Sequence, residues 1–88
     1  MMKIEQIKAL SEQGKLDEAL SLIQEAEDNE TLSYKMLEGE ILYKMQKWGD
    51  ALNLFEEIYA THKNKEAKVY CQMIQSILGY YNPDMLNP

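Results

Sequence analysis

The sequence contains no arginine: all nine of its basic residues are lysines, set against fifteen acids. The planar arginine fork is the usual means of gripping phosphate or carboxylate with two hydrogen bonds. Its absence, with a formal net charge of −6, argues against nucleic acid as a partner, because that affinity comes mainly from cationic contacts to phosphate. An anionic membrane surface is disfavoured for the same reason. Cysteine is nearly absent too. Cys71 stands alone, which excludes an internal disulfide framework and suits a reducing compartment, so a cytoplasmic location is expected. Proline occurs only at Pro83 and Pro88, so no earlier proline interrupts a helix. No apolar run exceeds three residues, too short to span a bilayer, and the stretch from Met1 to Gln6 lacks the apolar segment of a signal peptide. Strands are unsupported: no segment alternates polar and apolar residues over strand length, and no Asn-Gly or Asp-Gly hairpin signal occurs.

What remains is helical periodicity in a chain of 88 residues. That length allows one small domain, with a thin core that removes only about 60–65% of the unfolded surface from water. Five segments carry a helical apolar stripe. The first runs from Met2 to about Gln13, with Ile4, Ile7 and Leu10 three apart, and Gly14-Lys15 ends it. The second spans about Leu16 to Asp28, with Leu16, Ala19, Leu20, Ile23 and Ala26 on one face and Asp17 and Glu18 in the first turn, where the helix dipole favours acids. Thr31 is the expected N-cap of the third, from about Leu32 to Gln46. The fourth runs from Trp48 or Gly49 to His62. The fifth, about Glu66 to Gly79, has the densest apolar set: Val69, Tyr70, Met73, Ile74, Ile77 and Leu78. Asn82-Pro83 then marks a turn. Short links make consecutive helices near-antiparallel. The expected fold is therefore all-α, built of helical hairpins.

The chain also repeats itself. Gly14-Lys15-Leu16-Asp17-Glu18-Ala19-Leu20-Ser21-Leu22-Ile23 lies on Gln46-Lys47-Trp48-Gly49-Asp50-Ala51-Leu52-Asn53-Leu54-Phe55 at an offset of 32 residues. Two helices per unit at that period resemble the tetratricopeptide repeat, whose unit is about 34 residues long. Ala51-x-x-x-Phe55 resembles the second-helix signature of that family, with Ala19-x-x-x-Ile23 as its softer first copy, and Gly39 matches the first-helix glycine. The chain departs from the pattern at Lys35 and Glu38, which hold the first-helix Trp and Leu positions. Leu42 holds the tyrosine position, and the closing proline is missing. The resemblance implies two repeats, about 1–30 and 31–65, forming a right-handed stack of two antiparallel hairpins. A fifth helix, about 66–80, would cap the stack, followed by an irregular tail, 81–88. Ala19, Gly39, Ala51 and Ala26 would let helices approach closely, while Phe55, Trp48 and Ile23 would fill the space between hairpins.

No residue set carries an enzyme signature, and no catalytic, cofactor-binding or metal-binding residue is expected. His62 and Cys71 come from different helices with no third ligand at metal spacing. Gly14-Lys15 has neither the preceding strand nor the following Ser/Thr of a phosphate loop. The adjacent acids Asp17-Glu18, Glu27-Asp28 and Glu56-Glu57 read as solvated faces, and Glu40 and Lys44 are spaced to pair at i,i+4. The family resemblance implies instead a partner-binding groove lined by the first helix of each repeat. It would hold Ile4 and Lys8 from the first copy, and Met36, Glu40, Tyr43 and Lys44 from the second. Tyr70, Ile74 and Ile77 would come from the fifth helix, and Ser11, Glu12 and Ser33 lie at adjoining positions. Chaperone-binding members clamp a terminal carboxylate with Lys and Asn, but Ile4, Glu5, Met36 and Leu37 hold those positions here. The function this implies is a non-enzymatic interaction module or scaffold for a protein or peptide partner. The alternative is a self-association domain forming a homodimer through the groove or the fifth-helix face. The residues through Thr31 carry eight acids and three lysines, a net of −5, against −1 for the rest. A basic partner would therefore favour the first repeat.

Overall fold

In a computed structural model the structure describes residues 2–80. Among them are five helices and no strand: α1 (Met2–Glu12), α2 (Leu16–Glu25), α3 (Leu32–Lys44), α4 (Trp48–His62) and α5 (Lys65–Tyr80). The all-α expectation holds at that level.

The breaks between helices have local causes. After α1, Gly14 adopts φ +83°, the Lys15 N–H donates to the Leu10 carbonyl at 2.9 Å, and the Gly14 N–H donates to Ser11 at 3.1 Å. This is a Schellman ending, which satisfies carbonyls the helix would otherwise orphan. The same bonds recur 32 residues later. Lys47 donates to Leu42 and Gln46 to Tyr43, each at 3.0 Å, with Gln46 at φ 61°. Glutamine holds a conformation that suits glycine, which is why α3 stops at Lys44 and does not run on to Gln46. Helix α2 likewise ends early, at Glu25, because Ala26 turns to extended backbone at ψ 138°. The Ile23 carbonyl accepts the Ala26 N–H at 3.1 Å and also the Asn29 side-chain amide at 3.3 Å. Thr31 occupies the N-cap position of α3, although its hydroxyl makes no capping bond. Asn64 does cap: its Oδ1 accepts the Ala67 N–H at 2.9 Å and starts α5 one residue before the expected Glu66.

Packing runs from helix to helix along the chain, α1 on α2, α2 on α3, α3 on α4 and α4 on α5, with α1 also touching α3. The resulting body measures 48 × 27 × 16 Å. One apolar cluster joins the first three helices through Ile7, Ala19, Ile23, Tyr34, Leu37 and Ile41. A second joins the last three through Met36, Leu42, Ala51, Phe55, Ile58, Ala67, Cys71 and Ile74. Gly39 is where α3 meets α4. A Cβ placed there would lie 2.6–2.9 Å from three atoms of the Phe55 ring. That ring is fully buried and stacks on Tyr70, centroids 4.4 Å apart and planes 4° from parallel. Trp48 is only half-buried, edge-on to Tyr43 at 5.2 Å, so it closes the side of the core without filling it.

The fifth helix differs from its sequence reading. Of its six expected apolar positions, Ile74 is fully buried, while Val69, Met73 and Leu78 are 51%, 39% and 38% exposed. The buried stripe is Ala67, Cys71 and Ile74 instead. These positions are spaced four and three apart, and two of them are small enough for α5 to lie close against α4.

Candidate binding groove

Helices α1 and α3 each offer a row of side chains at helical spacing, and their contact sets the rows side by side. Ile4 and Lys8 from α1 meet Leu32, Ser33, Met36, Leu37 and Glu40 from α3 around a cavity of about 370 Å³, closed at one end by Asn64 and Glu66. A second cavity of about 240 Å³ continues it, lined by Lys8, Ser11, Glu12, Leu37, Glu40 and Lys44. The two share Lys8, Leu37 and Glu40, so they form one groove with Glu40 at its middle.

Glu40 dominates the electrostatics. Its carboxyl titrates above the usual carboxylate range, chiefly because burial strips it of water and secondarily because Glu66 repels its charge, while Lys8 and Lys44 oppose the shift. The i,i+4 spacing suggests that Lys44 neutralises Glu40, yet the Lys44 ammonium donates to the Ser11 hydroxyl at 3.0 Å, across to α1. That bond satisfies Ser11, a buried polar side chain. Ion pairing among the described residues centres on Lys35, which meets Glu30 at 3.2 Å and also Glu57. Tyr70 also titrates high, from burial first and then from the nearby Glu40 and Glu66 charges.

The groove gathers Ile4, Lys8, Met36, Glu40 and Lys44, together with the adjoining Ser11, Glu12 and Ser33. Tyr43 and Tyr70 are half-buried and sit edge-to-face at 5.3 Å. They belong to an aromatic cluster with Phe55 and Trp48. Ile74 is corrected: it is fully buried in the core against α4 and presents nothing to the groove. Ile77, half-buried, lines neither cavity. Leu32, Leu37, Asn64 and Glu66 were not among the expected groove residues. Asn64 and Glu66 arrive through the α4–α5 turn, and no sequence spacing ties that turn to α1. A further expectation from the sequence is that Tyr80, Tyr81, Met85 and Leu86 fold back into the groove; the stretch from Tyr81 onward, and with it the expected tail, lies outside the described residues.

Elsewhere, His62 is exposed at the end of α4, whereas Cys71 is buried with its thiol pushed up by burial. Among the described residues no three His, Cys, Asp or Glu side chains are grouped to hold a metal ion. No described helix is long and apolar enough to cross a membrane. No family model matches the chain, and it matches no curated protein and no solved structure.

Proposed function

We propose that this chain is a tetratricopeptide-like interaction module: two hairpin repeats and a fifth helix that hold a peptide or helical segment of a partner protein. The observation that carries the reading is the groove itself, in which Ile4 and Lys8 of one repeat share a single cavity with Met36 and Glu40 of the next. Recurrence of the same two Schellman bonds at a 32-residue offset supports the repeat architecture behind it.

The chemistry of the groove suggests what it would hold. Met36, Ile4 and Leu32 offer an adaptable apolar seat, and methionine in particular remoulds itself to its occupant. Glu40 and Glu66 would favour a cationic side chain at the centre. A lysine or arginine there would return to Glu40 the compensation it lost on burial and draw its raised carboxyl back down. The chain would act as a scaffold in the cytoplasm, without catalysis or cofactor.

The test is selection of binding peptides from a random display library on the wild-type chain. Their affinity is then measured for Glu40→Lys and for Lys8→Glu. Peptides that hold the groove lose at least tenfold, about 1.4 kcal/mol, to one of these variants while both variants keep the wild-type circular dichroism spectrum and unfold cooperatively. Peptides that bind all three chains equally well would place recognition elsewhere and overturn the proposal.

A further inference from the structure

Large apolar side chains left exposed among the described residues all lie on α5, and two of them form a ridge. Val69 and Met73, 51% and 39% exposed, are i,i+4 neighbours on the side of the helix away from the buried Ala67–Cys71–Ile74 stripe. In a stack in which each helix covers the one before, α5 has no successor among the described residues to cover it. Exposed Lys65 flanks the ridge at i,i+4 from Val69, Lys68 and Lys63 lie further round over the Tyr59 ring of α4 at 5.6 and 5.5 Å, and Glu66 is the single acid nearby.

The other end of the packing order, where α1 and α2 meet, has the reverse character. Half-buried Leu10 and Leu22 line a cavity of about 460 Å³ between α1 and α2, and its rim carries Asp17 and Glu18. Helix α2 as a whole bears three acids, Asp17, Glu18 and Glu25, and no base. Each end thus combines an apolar centre with a charged margin, and the two margins have opposite signs.

We propose that the protein associates head-to-tail, the Val69–Met73 ridge of one copy seating on the Leu10–Leu22 face of another. Lys65 and Lys68 then face the partner copy's Asp17 and Glu18. Such a contact joins two different surfaces and leaves a free end on each outer copy, so it builds open chains and not a closed two-fold dimer. The apolar patches are small, so each joint is weak and quickly exchanged. Its charge pairs lie at the rim, so salt loosens it.

Sedimentation of the full chain over a concentration series tests this. The weight-average mass should climb from the 10.3 kDa of a single chain past two chains as concentration rises, and fall back when salt is added. Met73→Glu alone, or Asp17→Lys with Glu18→Lys, should each hold the mass at one chain. An equimolar mixture of the Asp17→Lys/Glu18→Lys chain with a Lys65→Glu/Lys68→Glu chain should regain at least a doubled mass, because each supplies the end that the other lacks. All the replaced residues are exposed, and unchanged melting curves will show that the variants are folded. A wild-type mass of one chain at every concentration would overturn the proposal. So would association that survives Asp17→Lys/Glu18→Lys, since α5 would then be pairing with itself.

Discussion

Replacing Gly39 with alanine sets two opposed effects against each other at one atom. In the middle of an exposed helix the change stabilises by about 1 kcal/mol, because alanine gives up less backbone freedom on folding. At Gly39 the new methyl would lie 2.6 Å from Cζ and 2.8–2.9 Å from both Cε atoms of Phe55. The ring has little room to yield, being fully buried and stacked on Tyr70 at 4.4 Å. Relief requires α3 and α4 to separate or Tyr70 to move with Phe55, and overpacking of this kind costs about 1–3 kcal/mol or more. After the propensity gain is subtracted, a net destabilisation of up to about 2 kcal/mol is expected, a fall in Tm of up to about 16 °C for a domain this size. The assay is thermal unfolding followed by circular dichroism, with Gly49→Ala as the control. Gly49 has nothing within 4 Å of its would-be Cβ, so that variant should melt at or above the wild-type temperature. Phe55→Leu should soften the penalty, and a double-mutant cycle should find coupling of at least about 0.5 kcal/mol between positions 39 and 55. A Gly39→Ala chain as stable as Gly49→Ala would refute the close approach of α3 and α4.

Four further predictions concern other elements. The two equivalent turn positions should respond with opposite sign: Gly14→Ala, at φ +83°, should destabilise by about 1 kcal/mol, whereas Gln46→Gly, at φ 61°, should stabilise by a similar amount, both read by urea unfolding. Asn64→Ala should cost about 1 kcal/mol through loss of the α5 cap and increase amide exchange in the first turn of that helix, from Lys65 to Lys68. Phe55→Ala should cost about 3–5 kcal/mol, and an unchanged melting temperature would contradict its place in the core. Glu38 and Glu40 both titrate above the usual range, chiefly through burial, so the folded state binds their protons more tightly than the unfolded state does. Stability contributed by these two groups therefore falls as pH rises from the ordinary carboxylate value through their raised folded values, and is regained on acidification back through that window; the Glu38→Gln/Glu40→Gln variant should be more stable at pH 7 and lack this component of the pH dependence.

The existence and order of the helices were legible because the apolar period is helical in every segment and no strand signal competes with it. Their ends were less so. Helix α2 stops at Glu25 because Ala26 turns to extended backbone, and the Asn29 side chain reaches back to Ile23 there, a bond across six residues that no propensity encodes. Gln46 gave no sign of a left-handed turn by residue type, although its alignment with Gly14 pointed there. Lys8, Met36 and Glu40, which the family resemblance implies for the groove, line the cavities between α1 and α3. Ile74 and the Val69–Met73 ridge were misread for a single reason. The apolar residues of α5 occupy two faces, and spacing alone does not say which one α4 covers. The answer lay in Ala67 and Cys71, small residues that permit close packing yet contribute little to an apolar stripe. Asn64 and Glu66 were invisible as groove residues because only tertiary packing brings their turn against α3.

The proposed partner site is the surface shared by α1 and α3. Amide chemical-shift mapping with a selected peptide tests that most directly. The predicted result is a set of perturbed amides along Ile4, Lys8, Met36, Glu40 and Lys44, with α2 and the outer face of α4 unmoved. Shifts concentrated on α2 or α4, with the Lys8 and Glu40 amides unchanged at saturation, would contradict it.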